Sequence, residues 1–129
     1  MNKTDYTYKG VRYTAMYARH NNPKAWLWVS LRTRCQSKGI PFSITFDYMM
    51  SLWPEDGLCP ILGIPMVHNK GRGGKPDSAS IDKIIPHLGY VEHNVMWLSL
   101  KANKMKGENT LDTLTKFIAI IHQAEQYLT

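Results

Sequence analysis

The sequence predicts an α+β fold: one small domain in which a strand–turn–strand–helix unit, about residues 78–106, packs against several helices. Three observations predict it. The chain has 129 residues, enough for one domain with one core. "SASIDKII" and "NVMWLSL" are short runs of apolar and β-branched residues on either side of the turn "HLGY", which reads as an antiparallel pair. The segments around that pair carry helix caps and stops.

"YTYKGVRYTAMY" alternates aromatic with polar or basic residues and suits an arm, a short hairpin or an edge strand. "NNPKAWLWVSLRTRCQSKG" is a helix: Asn22 is a natural N-cap, Pro23 takes the first helical position and Gly39 stops it. Leu27, Leu31 and Cys35 give its apolar face, flanked by Trp28, Arg32, Arg34 and Lys38. In "IPFSITFDYMMSLWP", Phe42, Ile44 and Phe46 alternate, and Thr45 caps a short helix that runs to about Trp53 before Pro54 ends it. "CPILGIPM" reads as a tight hairpin about Gly63. "HNKGRGGKPDS" holds three glycines, a proline and three cations, the composition of a mobile loop. It is not a phosphate loop, because no strand precedes it and no Lys-Ser/Thr follows. "SLKANKMK" is a basic helix interrupted by Gly107. "NTLDTLTKFIAIIHQAEQYLT" restarts an amphipathic helix, about 110–128, capped by Asn109 or Thr110. Leu111, Leu114, Phe117, Ile118, Ile121, Ala124 and Leu128 share one side, so this helix enters the core or forms a homodimer.

Charge points to a partner. The net charge is +6, and residues 1–38 carry eight Lys/Arg against one acid. Residues 67–106 carry seven against three, while the stretches between and after are net acidic. Two basic blocks that converge would meet a polyanion, most simply nucleic acid. No apolar run approaches the roughly 20 residues that span a bilayer. The N-terminus lacks the apolar centre of a signal peptide, which predicts a cytoplasmic protein. Two cysteines, Cys35 and Cys59, make neither a disulfide framework nor a structural zinc site, and both thiols are expected free.

The polar residues of 78–106 need a reason to be there. Alternation puts Ser80, Asp82 and Ile84 on one face of the first strand and Ile81, Lys83 and Ile85 on the other. A hairpin packed on the following helix brings the middle of that strand near Asn103. A carboxylate and an amide oxygen are hard ligands, suited to Mg²⁺ or Mn²⁺ held by few protein groups with phosphate and water completing the shell. Lys101, Lys104 and Lys106 put positive charge where a phosphodiester would lie, and Lys70, Arg72 and Lys75 of the glycine-rich loop would contact nucleic acid as well.

On these residues the segment resembles the ββα-metal finger of HNH (His-Me finger) endonucleases. It is most similar to a phage and bacterial subgroup with "S-x-D-R-I", "G-Y-V-x-x-N-V" and a helix with "A-N-x-x-K". The matching positions are Ser80, Asp82, Lys83 and Ile84; Gly89, Tyr90, Val91, Asn94 and Val95; and Ala102, Asn103 and Lys106. Upstream, "RCQSKGIPFSIT" and "CPILGIPM" also match, so the resemblance covers roughly 30–110. It implies a metal-dependent DNA endonuclease, with Mg²⁺ on Asp82 and Asn103 and with Asn94 bonding backbone across the turn. The departure lies at Lys83, where the family's water-activating histidine would stand. An ordinary lysine is a poor base at neutral pH. Lys83 tuned by its neighbours, Tyr90 beside the turn glycine, or His87 swung in from the turn are the alternatives, with His93 and His68 further off. A degenerate finger that binds DNA without cutting it fits the same pattern, and an interaction protein that dimerises through 111–128 is the reading from a different class.

Overall fold

The aromatic run at the N-terminus folds as a hairpin. In the computed structural model, which describes residues 4–68 and 73–128, β1 (Tyr6–Tyr8) pairs antiparallel with β2 (Val11–Tyr13). Lys9 and Gly10 between them both have positive φ, 50° and 78°, the signature of the tight turn whose twist suits a two-residue hairpin. The rest of that segment is helical: α1 (Ala15–Asn21) starts at Thr14, whose side chain accepts from the Tyr17 N–H. α2 (Pro23–Lys38) follows at once. Asn22 caps it through the Ala25 N–H, Pro23 opens it, and Gly39 closes it in the left-handed conformation at φ 70°.

The buried stripe of α2 differs from the expected one. Ala25, Trp28, Val29, Leu31 and Cys35 are buried, so Trp28 belongs to the core rather than flanking it. Its indole N–H donates to the Ile44 carbonyl, which removes the penalty for burying that group. α3 (Phe46–Ser51) is capped by Thr45 as expected, and Phe46 is its first residue rather than part of a strand. The 58–65 stretch turns back on itself, with the Cys59 N–H on the Ile64 carbonyl and the Gly63 N–H on the Cys59 carbonyl. It is a hairpin with a single bridge, Leu58 to Pro65.

β3 (Ala79–Lys83) and β4 (Val95–Ser99) pair antiparallel from Ala79↔Ser99 to Lys83↔Val95. Ser99 then caps α4 (Leu100–Lys106) through the Ala102 N–H. Two other N–H groups at the start of α4 are satisfied from the entry to β3: Leu100 donates to the Ser78 carbonyl and Lys101 to that of Pro76. The helix is thereby tied across its own hairpin. Trp97 and Leu98 of β4 are 1% exposed, and the Trp97 indole N–H donates to the Met49 carbonyl, joining the pair to α3.

The class is α+β, with five helices and two small antiparallel sheets among the described residues. The core runs through Tyr6, Trp28, Phe46, Met49, Trp97 and Leu98. Cys35 and Cys59 are both free and buried. No helix of the described residues is long and apolar enough to cross a membrane. The last helix, α5 (Leu111–Leu128), overturns half of its expectation: none of its residues is buried, so it is not a core helix. Thr110 rather than Asn109 caps it, through the Thr113 N–H, while Asn109 donates to the Lys106 carbonyl and closes α4.

Candidate functional site

The site is built where β3 lies beneath α4. Asn103 and Lys106 are three apart and share a helix face. Ser80 and Asp82 are two apart and share a strand face. The two pairs meet in register. Asn103 Nδ2 donates to Ser80 Oγ at 3.1 Å, and Ser80 Oγ donates in turn to the Leu98 carbonyl at 2.9 Å. Lys106 Nζ stands 3.2 Å from Asp82 Oδ2, and donates to Oδ1 at 3.5 Å and to the Lys83 carbonyl at 3.1 Å. Lys106, expected to meet phosphate, is engaged by Asp82, so its ammonium already has an anion beside it.

Asp82 is 5% exposed. Its Oδ2 feels the lysine's charge but receives no hydrogen bond among the described residues. Burial raises its pKa above the ordinary carboxylate value, against the lowering effect of Lys106 and, further off, Lys83. Asn103 engages through its amide nitrogen, so its Oδ1 accepts no hydrogen bond among the described residues. The donor set is thus a carboxylate oxygen lacking a donor and an amide oxygen on the facing helix. Both are hard ligands of the kind Mg²⁺ takes in small number. Among the described residues no three His, Cys, Asp or Glu side chains cluster as a larger metal cage.

Asn94 sits just before β4 and is 5% exposed. Its Oδ1 accepts from the Ile85 N–H at 2.9 Å, and its Nδ2 donates to the carbonyls of Ile85 at 3.0 Å and Gly89 at 2.7 Å. Three bonds from one side chain hold the 84–94 connection, which contains a short 3₁₀ turn at Pro86–Leu88.

The base candidates separate. Tyr90 is 6% exposed, with its ring 6.0 Å from that of Phe42. Burial pushes its phenol up, against the lowering effect of the neighbouring Arg34, so it moves away from the tuning that a base requires. Lys83 Nζ donates to both carboxylate oxygens of Glu108, at 3.1 and 3.3 Å. His87 is exposed on the 3₁₀ turn and makes no hydrogen bond among the described residues. His93, exposed at φ 68°, donates its backbone N–H to Tyr48 Oη. None of these side chains touches Asp82 in a way that would mark it as the base.

Lys101 and Lys104 are exposed on α4 and Lys75 on the segment before β3, all open to a polyanion. Lys70 and Arg72 lie outside the described residues. Sequence reasoning gave no site role to Arg34, which lines the cleft beside α4, a space of about 350 Å³, together with Ser80, Tyr90 and Asn103. Arg34 is exposed, and its charge acts on the phenol of Tyr90, which lines the same cleft. Its signal was the basic run "RTRC", read only as a flank of the apolar stripe.

No family model, no curated protein and no solved structure matches the chain. The likeness to HNH endonucleases rests on the motif residues of 78–106 and the two segments upstream of them.

Proposed function

We propose that the protein is a divalent-metal-dependent endonuclease that hydrolyses DNA phosphodiester bonds at an HNH-like site. One observation carries the reading: a buried carboxylate, Asp82, with an oxygen that lacks a donor among the described residues, on the strand face whose Ser80 binds Asn103 of a lysine-rich helix. Asp82 and Asn103 would hold Mg²⁺ or Mn²⁺. When bound, the metal supplies Lewis-acid stabilisation of the scissile phosphate and the leaving 3′-oxygen. Lys101 and Lys104 neutralise the phosphates alongside, and Arg34 lies across the cleft in position to hold one more. Lys106 holds Asp82 in place and eases, without cancelling, the cost of its charge.

The test is nicking of supercoiled plasmid with and without Mg²⁺ or Mn²⁺. Chelator should abolish it, and so should Asp82→Ala in a folded protein. Undiminished nicking by that variant would mean that Asp82 takes no part in the reaction. The second reading, a catalytically degenerate DNA-binding protein on the same scaffold, draws on the pairing of Lys83 with Glu108 where the family places its histidine. It predicts salt-dependent DNA binding in chelator and no nicking under any metal. Either protein would meet DNA in the cytoplasm, the host's if the gene is a phage's. The unpartnered α5 would pair two copies.

A further inference from the structure

A second space adjoins the cleft at Asn103, and nothing in the proposed reaction uses it. It is a groove of about 890 Å³ where the α1–α2 corner faces Gly73 and Gly74 and the start of β3. It shares Leu27, Ser80 and Leu100 with the cleft, so the two are continuous. Its size is that of a small-ligand site rather than a surface dimple.

One wall is aromatic and cationic. The Arg19 guanidinium lies 5.8 Å from the centroid of the Trp26 ring. Trp26 keeps 37% of its surface exposed, whereas Trp28 and Trp97 are 5% and 1% exposed. An indole left at the surface beside an arginine is a stacking platform that the core does not use. His20, exposed, adds a second basic group to the rim. The opposite wall holds His68, whose ring stacks on Trp53 at 5.7 Å. Its Nε2 is buried and has no hydrogen-bond partner among the described residues. Buried ring nitrogens are ordinarily paired, and this one is left without a partner behind the groove's lining. Burial, and then the charge of Lys24, lower the pKa of His68 and favour the neutral ring, which offers one donor or acceptor and no charge.

We propose that this groove takes an unpaired nucleobase of the substrate, stacked on Trp26 beside Arg19. A polynucleotide fits both the rim and the platform. Its backbone suits the basic rim, and its base has a π-face for the indole. An acidic peptide uses the rim but not the platform, and bases inside a duplex are already stacked. The proposal rests on the nucleic-acid reading above and narrows it: the preferred substrate carries a single-stranded stretch near the scissile bond.

The experiment measures binding of the full chain, in chelator at low salt, to three labelled DNAs. One is a blunt duplex, one carries a three-nucleotide single-stranded extension, and one carries the same extension with abasic sugars. The last two have equal charge, so their affinity ratio reads the base alone. The expected ratio is roughly tenfold in favour of bases, within the range of base–aromatic stacking. Trp26→Ala should bring the ratio to about one, and Trp26→Phe, which keeps a smaller ring, should leave an intermediate value. A ratio of one in the parent overturns the proposal, and so does a ratio that survives in the folded Trp26→Ala protein. If the parent nicks plasmid with Mg²⁺ but shows a ratio of one, the groove falls and the nuclease stands. If the parent binds none of the three DNAs and nicks nothing, both fall.

Discussion

Two opposing effects meet at Asp82, and burial wins over the attraction of Lys106, leaving the pKa raised above its ordinary 3.8. The sign follows from linkage. A carboxyl whose native pKa exceeds its unfolded value binds its proton more tightly when folded. Its contribution to stability is complete below the unfolded value and is lost as pH rises through the native one. Charging Asp82 therefore works against the folded state, the pattern of a mid-strand residue retained for function. Asp82→Asn keeps the shape and removes the charge. Its melting temperature should equal or exceed the parent's at pH 7, and the gain should vanish toward pH 3.5. Metal-dependent nicking should fall at least about 100-fold, as expected for a group that holds the charge-stabilising metal. Melts at both pH values and the plasmid assay check this; an Asn variant that melts lower at pH 7 and nicks normally contradicts it. The roles of Asn94 and of the caps Asn22 and Thr45 were legible in the sequence because their partners lie within nine residues. Lys106 was not legible. Its partner Asp82 is 24 residues away, and only the laying of α4 across β3 brings them together.

Among the elements, the ones with chemical end-marks were the ones the sequence disclosed. α2 has Asn22, Pro23 and Gly39, and its observed bounds match. α1 was hidden because the aromatic alternation of "YTYKGVRYTAMY" continues past the strand, while Thr14 starts a helix that depends on packing against α2. The β3–β4 connection depends on Gly89, at φ 76° and ψ −162°, a region open essentially to glycine. A Cβ there would meet the Pro41 carbonyl oxygen, which already accepts from the Tyr90 N–H. Gly89→Ala should cost about 1–3 kcal/mol from the backbone alone, and the clash adds to it. Its melting temperature should drop by roughly 5 °C or more, with a matching loss of metal-dependent nicking at 37 °C. An unshifted melt would mean that the connection is held by Asn94 alone. On α4, Lys101 and Lys104 are the exposed cations, while Lys106 is committed to Asp82. Replacing the first two by alanine should flatten the slope of log K against log salt by about 0.9 for each duplex phosphate that is no longer neutralised. A double variant with the parent's slope would place the DNA on another face.

At the scale of the molecule, α5 is the element whose pattern was plain and whose destination was not. Its apolar side was readable, but whether that side meets its own core or another chain is decided by the path after Gly107, which periodicity does not encode. Leu111, Phe117, Ile118, Ile120, Ile121 and Leu128 are all more than half exposed. We expect a second copy to cover this face in antiparallel orientation. Antiparallel pairing centred on Ile121 sets Leu114 against Leu128 of the other copy and large Ile118 against small Ala124. Parallel pairing would instead oppose Phe117 to Phe117 and Glu125 to Glu125. The helix has 18 residues, about 27 Å in length, and buries less than a standard interface, so the association should be of micromolar order. Light scattering behind gel filtration should show the 14.8 kDa chain moving from monomer toward dimer as its concentration is raised through the micromolar range. Ile121→Glu sets two carboxylates face to face at the centre of the seam and should keep the chain monomeric throughout that range. Because α5 buries no residue in its own domain, the same variant should melt with the dilute parent. A lower melting temperature for the dilute variant would instead place α5 against its own core.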